Sequence, residues 1–161
     1  MDLVFTQEQL DTASSFMPVD WSTTEEGTVV GFKIESVTED NEKNQLGLRC
    51  TVLDGVNAGK TAWHNIGTDF SACAKHKTKS QLAAMDSADV GKYWGARENQ
   101  SLLAGLLKDD VKAGQKANLK LLVGKQMTAK LKWGKGRDGK TYLNWRNKKP
   151  LAAGPKADIP F

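Results

Sequence analysis

The sequence predicts one mainly β domain in which five strands are interrupted by a helical insertion. Three observations carry that expectation. Apolar and polar residues alternate from Thr28 to Thr38, from Leu46 to Val52 and from Lys60 to Ile66. The alternation stops between Gly67 and Gly124, where helical spacing replaces it, and it returns between Lys125 and Lys149 as two runs flanking a loop of Gly, Lys, Arg and Asp. At 161 residues the chain is long enough for one domain with a real core and short for two.

Taken in order, Thr6 and Gln9 have capping-box spacing, which predicts a short helix over 7–14 anchored by Phe5, Leu10 and Phe16. Ser22 to Gly27 is a polar connector. In the first strand Val30, Phe32 and Ile34 share one face, and Val29, Lys33 and Glu35 the other. Glu39 to Gln45 turns the chain, after which Leu46, Leu48, Cys50 and Val52 face inward and Arg49 and Thr51 outward. A third strand, over 60–66, follows the Asp54-Gly55 connection and carries Trp63 and His64. The stretch GVNAGKT, Gly55 to Thr61, superficially resembles a phosphate-binding loop. It has three residues between its glycines where that motif has four, and it runs on into a strand rather than a helix, so it reads as a turn.

In the insertion, over about 67–124, Ser80 to Met85 reads as a weak helix. Arg97 to Lys108, with Leu102, Leu103, Leu106 and Leu107, reads as a strong one. Asp109 and Asp110 suit the start of a further helix, with Ala117, Leu121 and Leu122 as its stripe and Gly124 as its cap. Lys75-His76-Lys77-Thr78-Lys79 reads as a solvated loop, with contact to phosphate as the alternative. Tyr93-Trp94, between Gly91 and Gly95, reads as an aromatic pair in a loop, placed either to stack on a base or to close the core.

The last hairpin is the most informative stretch. Met127, Ala129, Leu131 and Trp133 share one face of its first run, while Thr128, Lys130 and Lys132 share the other. On the second run Leu143 and Trp145 alternate with Tyr142, Asn144 and Arg146. The face turned from the core therefore displays cations, an amide and an aromatic ring, a mixture suited to a polyanion carrying flat bases. Three strands, a helical insertion and two strands give the element order β-β-β-α-β-β. That is the order of an elaborated OB-fold, a small Greek-key barrel that commonly binds oligonucleotides. Residues 1–150 are assigned to this domain and 151–161 to a flexible C-terminal tail.

The formal charge is +4, with a pI near 9, but it is unevenly spread. Residues 1–44 hold two lysines against ten acids, and residues 108–150 hold thirteen Lys or Arg against three Asp. A local basic surface and an acidic partner are expected. Cys50 and Cys73 are too few for a disulfide framework, and with His64 and His76 they lack the paired spacing of a zinc site. No apolar run approaches the roughly 18 residues of a membrane span. The opening MDLVFTQEQL has an acid where a secretory signal is basic. A cytoplasmic protein without metal or cofactor is the expectation.

The tail LAAGPKADIPF ends in Asp158-Ile159-Pro160-Phe161. This tip resembles that of bacterial and phage single-stranded DNA-binding proteins (SSBs), which typically end in acids followed by Ile-Pro-Phe. The pattern from Gly27 to Pro150, especially VLDGVNAGKTAWHNI and the closing basic hairpin, is similar to small phage-encoded SSB-like proteins. The resemblance implies that the tip docks on DNA-maintenance partners, the Phe161 ring entering an apolar pocket and its carboxylate meeting a basic group. It also implies a setting in the cytoplasm of a bacterial host. One departure stands out: Lys156 and Ala157 precede a single Asp158 where the family has several acids, so steering toward a basic pocket is weaker here.

These readings converge on non-catalytic, sequence-independent binding of single-stranded DNA in replication, recombination or repair. The expected phosphate contacts are Lys33, Arg49, Lys60, Lys130, Lys132, Lys135, Arg137, Lys140 and Arg146. The stacking candidates are Trp63, Trp133, Tyr142 and Trp145, although alternation puts Trp133 and Trp145 on the apolar face, leaving core or stacking open for both. Asp158, Ile159, Pro160 and Phe161 are the partner-binding tip. An RNA-binding OB protein is the alternative within the same class, and duplex DNA and a homo-oligomer stay open. An enzyme such as a nuclease is the alternative from another class, yet clustered carboxylates for metal are wanting in the basic half, which offers only Asp109, Asp110 and Asp138.

Overall fold

The alternating stretches form five strands: β1 (Val29–Asp40), β2 (Gln45–Val52), β3 (Thr61–Gly67), β4 (Gln126–Lys135) and β5 (Thr141–Pro150). They make one open sheet in the order β3-β2-β1-β4-β5, every neighbouring pair antiparallel. The computed structural model describes residues 4, 6, 7, 27–136 and 138–151. Residues 8–14 of the expected N-terminal helix, its anchors Phe5, Leu10 and Phe16, Arg137 and the tail beyond Leu151 lie outside the described residues.

Between β3 and β4 come a 3-10 turn (Ser71–Cys73), α1 (Lys79–Ala83), α2 (Ser87–Leu107) and a second 3-10 turn (Leu119–Leu122). Thr78 and Gln81 close a capping box on α1. Helix α2 begins ten residues before the expected Arg97, so Tyr93 and Trp94 are helical rather than in a loop. Gly91 and Gly95 each cost a helix about 1 kcal/mol and read as loop punctuation. Packing overrides them: Tyr93 is buried, and its hydroxyl accepts from Lys77 N at 3.3 Å and Arg97 Nη1 at 3.3 Å. The expected helix after Asp109 is only the second 3-10 turn. Asp110 pairs with Lys125 at 2.9 Å instead of opening a helix. Among the described residues no helix is long and apolar enough to cross a membrane.

The inward faces of all five strands meet Leu102, Leu103, Leu106 and Leu107 of α2 and Leu122 in one hydrophobic cluster. Cys50 lies within it, and burial, helped by the Glu35 carboxylate, pushes its thiol up to about 12, so it stays protonated and unreactive at neutral pH. Two bulges bend the sheet. Glu35 is an extra residue of β1 between the pairs Ile34–Cys50 and Ser36–Arg49. In β5, Asn147 and Lys148 lie between the pairs Lys130–Arg146 and Thr128–Lys149, so two residues oppose Ala129 alone. Asn147 takes φ of 48°, a left-handed conformation that Asn tolerates better than most residues. The bulge shifts the alternation by one and turns Lys148 inward, where it is only 9% exposed.

No ladder joins the edge strands β3 and β5 among the described residues, but their side chains touch. Trp145 of β5 stacks on Phe32 of β1 (ring centroids 3.9 Å apart) and on His64 of β3 (4.3 Å). Lys148 Nζ donates to Asn99 Oδ1 of α2 at 2.6 Å and to His64 Nε2 at 3.4 Å, with Glu98 Oε2 3.9 Å away. Asn99 Nδ2 donates to Gly67 O at 3.3 Å, and Glu98 Oε1 accepts from Lys148 N at 3.1 Å. Helix α2 thereby holds both sheet edges.

Burial, reinforced by the Lys148 ammonium, pushes His64 down to about 3, so its ring is neutral and accepts from Lys148. An unfolded chain takes up a proton on His64 near pH 6.5, whereas the native state does so only near 3. Stability is therefore full above about pH 6.5 and is lost as pH falls toward 3, with about 2 kcal/mol gone at pH 5 relative to pH 7. Urea denaturation across that range measures the slope, which His64→Gln is expected to flatten. At pH 7, Trp145→Ala is expected to cost about 3–5 kcal/mol in the same assay.

Candidate nucleic-acid interface

The tip of the β4–β5 hairpin is a self-contained turn. Gly136 N donates to Lys140 O at 2.8 Å, and Gly139 N to Gly136 O at 3.0 Å with Gly139 at φ 78°. Asp138 accepts from Lys140 N at 3.0 Å and from the Tyr142 hydroxyl. The Tyr142 ring lies over Gly136, where a Cβ would come within 2.7 Å of ring carbon Cε2. The tip thus holds an exposed phenol ring in one place. The hydrogen bond to Tyr142, then that from Lys140 N, hold Asp138 below the usual carboxylate range, while Asp138 raises the Tyr142 phenol.

Beside the tip, the outward residues of β4 and β5 line a groove of about 700 Å³. Lys130 stands across the ladder from Arg146, and Lys132 from Asn144, with Trp133 and Asn147 completing the walls. Gly134 leaves room for the Asn144 amide, which a Cβ there would meet at 2.6 Å. Gly27 forms part of the rim. No carboxylate lines the groove among the described residues.

The same non-core face continues over β1, β2 and β3. There Ser36 pairs with Arg49 and Arg49 with Trp63, whose ring is 70% exposed. A depression of about 280 Å³ runs beside Trp63, lined by Asn65, Gly47, Ser36, Thr38 and Lys43. This half is electrically mixed, since Asp40 also lines it and Glu35 accepts from Thr51 Oγ1 at 3.2 Å. Strand β1 links the two regions, its Val29 paired with Lys130 and its Ser36 with Arg49. At about 3.3 Å per residue the two rows are roughly 20 Å apart.

The expected residues divide accordingly. Lys130, Lys132, Trp133 and Arg146 converge on the hairpin groove, and Arg49 and Trp63 stand together on the other half. Lys33 stands on the same face of β1, opposite Gln126 and Thr51. Lys135, Lys140 and Tyr142 are exposed at the hairpin end. Lys60 turns to its own loop, Nζ bonding Asn57 Oδ1 at 3.4 Å, and lines neither groove. Arg137 and Asp158, Ile159, Pro160 and Phe161 lie outside the described residues. Trp145 belongs to the core, because Phe32 and His64 stack on its ring and it is only 9% exposed, leaving no face for a base. Trp133, at 37%, keeps an open surface on the groove.

Sequence reasoning did not single out Asn144, Asn147, Lys43 or Asn65 as site residues. Alternation already places Asn144 outward beside Arg146, a usable signal; Asn147 depends on the bulge, which alternation does not reveal. Among the described residues no three His, Cys, Asp or Glu side chains gather closely enough to hold a metal ion. No protein-family model matches this chain, and a search of curated protein sequences finds no match.

The Asp138–Tyr142 pair yields a direct test. Spectrophotometric titration is expected to show one phenol ionising above the usual pH 10, and Asp138→Ala is expected to return it toward that value.

Proposed function

We propose that this chain is a non-catalytic protein that binds single-stranded DNA without sequence preference. The observation that carries the proposal is a groove bearing Lys130, Lys132 and Arg146, with no carboxylate among the described residues, on the same face of one sheet as exposed Trp63, and with the exposed Trp133 at its edge. Cations in such a groove neutralise successive phosphates and release their counterions, which supplies affinity without reading bases. Exposed rings stack on any base, each worth about 1–3 kcal/mol. Asn144 and Asn147 add amide donors and acceptors along the walls.

The sheet order β3-β2-β1-β4-β5, with the helical insertion between β3 and β4, is compatible with an OB-like barrel parted between β3 and β5. That finer reading of the fold supports the same function. The resemblance of the Asp158–Phe161 tip to SSB tails supports a second element of the proposal: recruitment of DNA-maintenance proteins, in the reduced cytoplasm of a bacterial host and in the course of replication, recombination or repair.

Fluorescence titration with homopolymeric oligonucleotides tests the binding. Low-salt binding with quenched Trp emission is expected, and its absence overturns the proposal. Replacing Lys130, Lys132 and Arg146 together by Ala is expected to reduce the slope of log K against log salt by about 2. Trp63→Ala is expected to cost about 1–3 kcal/mol of affinity. Circular dichroism should be unchanged in both variants. RNA and duplex competitors of equal length measure the preference for single-stranded DNA. Deleting Asp158–Phe161 is expected to spare DNA affinity and to remove co-precipitation of DNA-maintenance proteins from a host extract.

A further inference from the structure

We infer that the helical insertion carries a second contact surface for the single strand, centred on Trp94 with Lys75, Lys77, Lys79 and Arg97. The inference rests on the single-stranded DNA reading above and extends it beyond the sheet.

Trp94 lies in α2 with 51% of its surface exposed, flanked by Gly91 and Gly95, where an added Cβ would meet nothing within 4 Å. It stands edge-on to Tyr93, ring centroids 5.1 Å apart. Tyr93 clamps the lysine-rich loop to the helix, since its hydroxyl accepts from Lys77 N at 3.3 Å and from Arg97 Nη1 at 3.3 Å, with His76 Nδ1 3.5 Å from that same Arg97 nitrogen. Because Lys77 contributes its backbone to this clamp, its side chain is not needed for it. Among the acids at this helix, Asp86 is the N-cap, Asp89 lies in the first turn, and Glu98 is engaged by Lys148.

An exposed indole beside the residue that clamps a lysine-rich loop and Arg97 repeats the chemistry of the sheet face, with a ring to stack on a base and cations for the flanking phosphates. Solubility alone accounts for the lysines; it does not account for a half-exposed Trp. A path also joins the two regions. The depression beside Trp63 shares Lys43 and Gln45 with a second one of about 530 Å³, which reaches α2 at Lys92 and Gly95, on either side of Tyr93 and Trp94 in the chain. A strand lying over Trp63 can follow that depression to the insertion.

The test uses the full chain and homopolymeric DNA from about 4 to about 16 nucleotides long. Trp94→Ala is expected to leave the affinity for the shortest binding oligonucleotides unchanged and to weaken the longest by about 5- to 100-fold, with Trp94→Phe recovering most of the loss. Replacing Lys75, Lys77 and Lys79 together by Ala is expected to lower the salt slope by about 2 for the long oligonucleotides only. If both variants match the wild type at every length and salt, the inference falls and the sheet-face reading stands. If the wild type binds no length, the single-strand reading itself falls. A change in sedimentation without a change in DNA affinity marks the patch as a contact between copies of the chain and also overturns the inference.

Discussion

The placement of Trp145 between Phe32 and His64 is the constraint on which the rest of this structure depends. It brings residues of β5, β1 and β3 into one stack, although β5 and β3 occupy opposite ends of the sheet order. Without such a contact a five-stranded antiparallel ribbon leaves one face of each edge strand short of partners. The Lys148 cluster reinforces the stack at a cost. Burial lowers the Lys148 pKa, Glu98 opposes that shift and Arg146 adds to it, so the ammonium is tolerated because Asn99, His64 and Glu98 surround it. A neutral His64 is part of the bargain, as an imidazolium would oppose the ammonium it now accepts from.

The hairpin groove follows from that core because both are built by the same strands. Once Trp145 points inward, Asn144 and Arg146 must point outward, and pairing with β4 sets them opposite Lys132 and Lys130. The Asn147 bulge then serves both sides. It sends Lys148 into the seam while Asn147 itself lines the groove. A substitution that removed the bulge would slip Lys148 toward solvent and disturb core and groove together.

Alternation made the strands legible to within one or two residues, since a period of two with branched and aromatic residues has few other readings. It also separated the inward and outward sets of the hairpin. Three things escaped it. Lys148 was hidden because a bulge moves every later side chain to the other face. The first ten residues of α2 were hidden because Gly91 and Gly95 look like a loop until Tyr93 is seen anchoring them. Trp133 and Trp145 share one alternating face, yet one is open and the other stacked, because exposure near a hairpin end depends on what lies above the strand rather than on its phase.

In the single-strand reading the two halves of the sheet face take different parts. The hairpin groove, with Lys130, Lys132 and Arg146 and no carboxylate among the described residues, is where the sheet face neutralises phosphate charge, so most of that face's salt dependence originates there. The β1–β3 half sets Asp40 and Glu35 among its cations and gains little from phosphate, but Trp63 offers a ring that salt does not screen. Raising the salt therefore loosens the hairpin first and leaves the strand held by stacking at Trp63. A surface divided in this way keeps hold of a strand while parts of it exchange, without any group that must recognise a particular base.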